Sequence, residues 1–118
     1  MRGRLLDVCI DAGDAYALAQ WWAPLLGYHV REDARPGWKA VPLVPPTGAA
    51  GPGLWFNQVP EPKTVKDRVH LDVEGDWREI VAHGATVLRE EGAVPEEDWV
   101  VLADPEGNEF CVFAPPAA

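Results

Sequence analysis

Two short stretches of this chain, DVCIDAGDA from Asp7 and HLDVEGDWR from His70, begin 63 residues apart and read alike. Each alternates apolar with polar residues, as a strand with one apolar side does, and each then reaches a Gly-Asp pair that opens a helical stretch. Such self-similarity restricts the chain to architectures assembled from two equivalent halves, neither of which can bury its sheet alone.

The first half reads as a strand over LLDVCID, then a helix over AYALAQWWAPLL that Asp14 caps and Gly27 terminates. Pro24 lies inside that stretch and, having no backbone N–H, is expected to kink the helix or end it early. YHVRED, GWKAVPL and GLWFNQV follow as three strands, the last two separated by the Pro- and Gly-rich loop VPPTGAAGPG. The second half repeats the order: a strand over RVHLDV, a shorter helix over WREIVAHG behind Asp76, then strands over ATVLREE, DWVVLAD and NEFCVF. The expected fold class is therefore α+β, two βαβββ units in a single domain: unit one over about 5–59, a Pro-punctuated connector over 60–66, and unit two over about 67–114.

Composition removes several function classes. A chain of 118 residues buries a sufficient core without disulfides, so Cys9 and Cys111 are not needed as staples. Two cysteines and no apolar leader after MRGRLLDV make a reducing cytoplasm the expected compartment. No apolar run approaches the roughly 20 residues of a membrane span. Ten Lys and Arg against 19 Asp and Glu, a net charge of −9, argue against a nucleic-acid partner, which needs clustered cations.

Two motifs carry a resemblance. WWAPLLGY is similar to the helix-end signature Phe-Tyr-x-x-x-Leu-Gly-Phe, and DPEGNEF to the Asp-Pro-Asp-Gly-Asn turn before the last strand, of the vicinal oxygen chelate superfamily, the glyoxalase, bleomycin-resistance and extradiol dioxygenase group. VPEPKTVKDRVHLDV together with WVVLADPEGNEFCVF resembles, more narrowly, its small glyoxalase-like domain proteins. The resemblance spans about Leu5 to Phe113 and implies curved mixed sheets around a cavity, with helices on the outer faces. Combined with the alternation, it directs Leu6, Val8, Ile10, Leu54, Phe56, Val69, Leu71, Phe110 and Val112 toward the helices. Asp7, Cys9, Asp11, Trp55, Asn57, His70, Asp72, Glu109, Cys111 and Phe113 then face the cavity.

In metal-dependent members of that superfamily the first and last strand of each unit supply one ligand apiece, usually His, Gln or Glu. Carried over by motif, these positions fall on Asp7, His70, Cys111 where glutamate is normal, and Asn57, with Phe56 the alternative for the last. The resemblance thus implies either no cofactor or a divalent metal held by Asp7, His70 and Cys111. A carboxylate, an imidazole and a thiolate suit tetrahedral Zn²⁺ and not Mg²⁺. Bland roles stand beside these: Cys111 and Cys9 as small packing hydrophobes, His70 with Asp72 as a satisfied polar pair, and Glu109 as a rim charge.

Six tryptophans exceed what the fold requires; Trp21 and Trp22 are expected to anchor the first helix, while Trp55 and Trp99 are candidates to line the cavity. The functional expectation is a small-molecule-binding protein with an aromatic, acidic cavity and a degenerate metal site, not a glyoxalase I. The alternative is a lyase or isomerase acting on a small oxygenated metabolite, with His70 or Asp7 abstracting a proton. The resemblance also implies a homodimer, and open sheet edges favour association.

Overall fold

A computed structural model describes residues 1–89 and 99–116. The chain divides into two compact units, Met1–Pro62 and Lys63–Ala118, each built around one four-stranded mixed sheet.

The first unit runs β1 (Asp7–Ala12), α1 (Ala15–Leu26), β2 (His29–Val30), β3 (Ala40–Val44) and β4 (Gly53–Gln58). Its strand order is β1-β4-β3-β2, with β1 parallel to β4 and the other pairs antiparallel. Helix α1 starts where expected, because the Asp14 carboxylate accepts from the Ala17 N–H at 3.1 Å. Gln58, at the end of β4, completes that start: its side-chain oxygen accepts from Ala15 N–H at 2.8 Å, and its amide donates to the Gly13 carbonyl. Ala15, Leu18, Ala19, Trp22 and Ala23 form one buried stripe at helical spacing, and α1 lies against β3 and β4, whose Val41, Leu43, Leu54 and Phe56 complete the core.

Pro24 does not end α1 early; the helix continues to Leu26. The missing bond is the one to the Gln20 carbonyl, and both Gln20 and Pro24 lie on the exposed side, where water can serve that oxygen. The helix stops instead at Gly27, whose left-handed φ of 69° lets the Gly27 and Tyr28 N–H groups both reach the Ala23 carbonyl.

The second unit runs β5 (Asp72–Glu74), α2 (Trp77–Ala82), β6 (Thr86–Arg89), β7 (Trp99–Ala103) and β8 (Glu109–Phe113), in the order β5-β8-β7-β6 with β5 parallel to β8. Asp76 caps α2 by accepting from Arg78 N–H at 3.0 Å. Val100, Leu102, Phe110 and Val112 share one face of the sheet and are fully buried. The turn into β8 is organised by Asp104, only 3% exposed, whose carboxylate accepts from the Glu106 and Asn108 backbone N–H groups and from the Asn108 side chain at 2.9–3.0 Å. Gly107 supplies the positive φ of 88° that this turn requires.

Three strand boundaries differ from expectation. The stretch YHVRED forms a strand only over His29–Val30; the Arg31 N–H still donates to the Pro42 carbonyl at 3.2 Å, but the chain turns there, the Arg31 carbonyl accepting from Ala34 N–H and its guanidinium pairing with Asp33. The strand expected over RVHLDV begins at Asp72, leaving Val69 79% exposed and His70 ahead of the ladder. Leu6 likewise precedes β1 and is 64% exposed, so neither Leu6 nor Val69 joins a buried face. Glu90 and Glu91 of ATVLREE and Asp98 of DWVVLAD lie outside the described residues.

Candidate functional site

Strand β8 is the central scaffold of the site in the second unit. Its even positions, Phe110 and Val112, are buried on one face, so Glu109, Cys111 and Phe113 project from the other. The register places Asp72 opposite Cys111, Glu74 opposite Phe113, and Trp99 opposite Phe113 on the far side. One face of one sheet therefore carries carboxylates, a thiol and two aromatic rings.

His70 completes this face from just before β5. Its Nδ1 lies 4.0 Å from Cys111 Sγ and 3.9 Å from Asp72 Oδ1. One donor atom from each of His70, Asp72 and Cys111 falls within 4.8 Å of the others. Cys111 is 8% exposed, whereas the imidazole and the Asp72 carboxylate are open to solvent. Both close approaches are made to the same ring nitrogen, so this is not a relay in which imidazole passes a proton from thiol to carboxylate through its two nitrogens. Three unlike donors converging on a small volume instead fit a four-coordinate ion such as Zn²⁺ with one position open, and suit an octahedral hard cation poorly.

Beside the donors, the Trp99 and Phe113 rings lie 5.5 Å apart and inclined by 31°, and the Arg89 guanidinium sits 5.5 Å over the Trp99 ring. This pair offers a flat apolar wall next to the polar cluster.

Glu109, expected as a cavity residue or solvated rim charge, is engaged on both oxygens. Lys63 Nζ donates to Oε1 at 2.8 Å and the Asp67 backbone N–H donates to Oε2 at 3.0 Å. Burial works against the Glu109 charge, but the Lys63 ammonium and the Asp67 N–H outweigh it and hold the carboxyl at about 2. Lys63 is raised above its usual value chiefly by its bond to Glu109, and Asp67 is raised chiefly by burial, with Glu109 adding to it.

The remaining candidates lie in the first unit. Asp7, Cys9 and Asp11 alternate along β1 and are exposed, so Cys9 is not the packing residue expected of it. Neither cysteine is in a disulfide. Gly53, opposite Asp7, leaves room for its carboxylate, since a Cβ there would stand 3.1 Å from Asp7 Oδ1. The ladders also revise an equivalence between the halves. Asp72 pairs with Cys111, and its counterpart 63 residues earlier, Cys9, pairs with Trp55. At that offset of 63 the position matching Cys111 is Trp55, and Asn57 pairs with Asp11, two residues further along. Where the second unit presents a thiol, the first presents an indole.

Two features had no clear signal in the sequence. Asp72 joins His70 and Cys111 because the parallel register, unreadable from spacing, sets it beside Cys111. Lys63 reaches Glu109 across 46 residues. A hollow of about 280 Å³ also lies on the opposite face of the second sheet, between Gly75–Arg78 and Val100, Val112, Ala114 and Pro115. Its charged groups are already used, Asp76 as the α2 cap and Arg78 stacked 4.5 Å over Trp77, so the chemistry belongs to the His70 face.

A family model described as a glyoxalase-like domain matches residues 7–113. Among solved structures, a glyoxalase/bleomycin resistance protein/dioxygenase family enzyme from Burkholderia phytofirmans PsJN is similar at 22% identity and a TM-score of 0.65, over 95% of this chain and 98% of its own. A glyoxalase/bleomycin resistance protein/dioxygenase from Nocardioides is similar at 15% identity and a TM-score of 0.68, over 97% and 84%. TnmS3, an antibiotic binding protein from Streptomyces sp. CB03234, is similar at 17% identity and a TM-score of 0.62, over 98% and 99%. No curated protein matches the sequence significantly. Identities this low establish a shared fold and leave function to the chain's own residues.

Proposed function

This chain belongs to the glyoxalase-like domain family of the vicinal oxygen chelate superfamily, and on that premise we propose that it binds a small, flat organic molecule and is not a glyoxalase I. The observation that carries this reading is the composition of one sheet face: the Trp99–Phe113 pair beside His70, Asp72 and Cys111. The rings supply apolar contact area, and the polar cluster supplies the few oriented groups that fix a ligand. The antibiotic-binding neighbour supports binding without turnover. Cys111 at the family's glutamate position, with Trp55 as its counterpart, argues against the hard octahedral site that chelation of two substrate oxygens needs. Asp11, Asn57 and Asp7 remain ligand-facing candidates of the first unit, and the protein is proposed to act as a cytoplasmic homodimer.

Where a metal is bound, His70, Asp72 and Cys111 are the residues of the second unit that would hold it, and Zn²⁺ there would polarise a ligand oxygen. Elemental analysis of untagged protein tests this: less than about 0.1 equivalent of any transition metal, unchanged after Zn²⁺ incubation, removes the metal.

A thermal-shift screen of aromatic compounds tests the binding reading, because a ligand selective for the native state raises apparent stability. Hits should stabilise the wild type and lose that effect in a Trp99→Ala, His70→Ala double variant; equal stabilisation of both overturns the site. A second reading, a lyase or isomerase, draws on the exposed His70 imidazole held 3.9 Å from the Asp72 carboxylate, a group placed to accept a proton, with Asp7 the other acid–base candidate. Turnover of a hit, lost in His70→Ala with the fold intact, would favour it.

A further inference from the structure

The segment that carries His70 has little apolar packing to hold it: Val65 and Val69 are 73% and 79% exposed, and β5 does not begin until Asp72. Its position is defined by two polar anchors, both on β8. Downstream of His70, the Cys111 N–H donates to the Leu71 carbonyl at 2.9 Å. Upstream, Glu109 receives the Asp67 N–H on one oxygen and the Lys63 ammonium on the other, and the same ammonium donates to the Val65 carbonyl at 2.7 Å, closing a compact loop over residues 63–67. Glu109 and Cys111 are two residues apart on the same face of one strand, so a segment pinned at both is placed in register with the thiol.

We propose that Glu109 and Lys63 are positioning residues: together they latch residues 63–67 onto β8 and thereby hold the His70 imidazole against Cys111. The inference rests on the reading that His70 and Cys111 belong to the binding face. The charged pair takes part in three hydrogen bonds at once, Lys63 to Val65 and to Glu109 and the Asp67 N–H to Glu109, and the Lys63 and Glu109 side chains are 23% and 13% exposed. With the latch open, the segment loses its upstream anchor and the His70 imidazole samples positions away from the thiol.

The test is the nuclear Overhauser effect between the His70 ring protons and the Cys111 Hβ protons in the full chain, compared for the wild type, Lys63→Met, Lys63→Arg and Glu109→Gln. The latch predicts the effect in the wild type and in Lys63→Arg, which keeps the cation, and a loss of roughly fivefold in Lys63→Met and Glu109→Gln. Amide shifts of β7 and of Phe110–Phe113 should stay unchanged. Should Glu109→Gln disturb β8 itself, Lys63→Met, which lies off the strand, decides. An effect undiminished in Lys63→Met, or one lost equally in Lys63→Arg, overturns the proposal. Zn²⁺ titration of the wild type, and the ligand screen, speak to the binding face alone, so the failure of that reading is separable from the failure of the latch.

Discussion

The Nδ1 atom of His70 lies 4.0 Å from the sulfur of Cys111, although the two residues are 41 apart in sequence. The contact joins a solvent-open imidazole to a thiol that is 8% exposed, so chemistry available to one is not equally available to the other. That asymmetry, and the latch beside it, make the site testable by simple perturbations.

The two thiols should differ in reactivity. Cys9 is exposed on β1 and Cys111 is buried in β8. A disulfide reagent added to native protein should modify Cys9 at least about ten times faster, with the slow phase vanishing in Cys111→Ser and both thiols reacting together in denaturant. Equal native rates would contradict the assigned burial.

Stability should fall in acid through Glu109. Its carboxyl stands near 4.5 unfolded and about 2 folded, so the unfolded chain binds the proton first. The contribution is complete above about 4.5 and is lost as pH falls through about 2. Asp67 works in the opposite sense, its raised carboxyl being relieved by protonation. Urea unfolding from pH 6 to 2 should show a shallower decline in Glu109→Gln than in the wild type; identical slopes would remove the pairing with Lys63.

Asp104 should be a stability residue. It accepts three hydrogen bonds while buried, and Asp104→Ala leaves two backbone N–H groups of the turn without their acceptor. A loss of about 2–4 kcal/mol in chemical denaturation is expected. Glu106→Ala keeps the backbone N–H that Asp104 accepts, so its loss of stability should be clearly smaller than that of Asp104→Ala.

Pro24 should be nearly neutral. Because its missing bond falls on the wet side of α1, Pro24→Ala should stabilise by no more than about 1 kcal/mol, and not by the roughly 3 kcal/mol expected where a proline breaks a buried helix interior. Gly27→Ala should cost about 1 kcal/mol, because alanine must adopt a positive φ there. Calorimetric melting of both variants checks the pair.

Signals that act over a few residues were legible before any coordinates. The Asp14 and Asp76 caps and the DPEGN turn depend on one side chain meeting a backbone group no more than four positions away, and the Gly27 stop on one residue free to adopt a positive φ, so composition at fixed spacing encodes them. The alternation that put Phe110 and Val112 on one side of β8 and Cys111 and Phe113 on the other is of the same kind. Pro24 does not end α1 because it falls on the wet side of the helix, which propensity ignores, and Val69 stays exposed because alternation continues in the sequence where the ladder has already ended.

The chain's own order of residues thus determined two βαβββ halves, their caps and the faces of their strands, since all of these follow from dihedral preference and side-chain period. Only the tertiary structure decided that Asp72 stands opposite Cys111, that Cys9 stands opposite Trp55 in the other unit, and that Glu109 is held by Lys63. Those relationships depend on the register between strands far apart in sequence, and register is a property of the assembled sheet, where shifting one strand past another changes every partner without altering any local pattern.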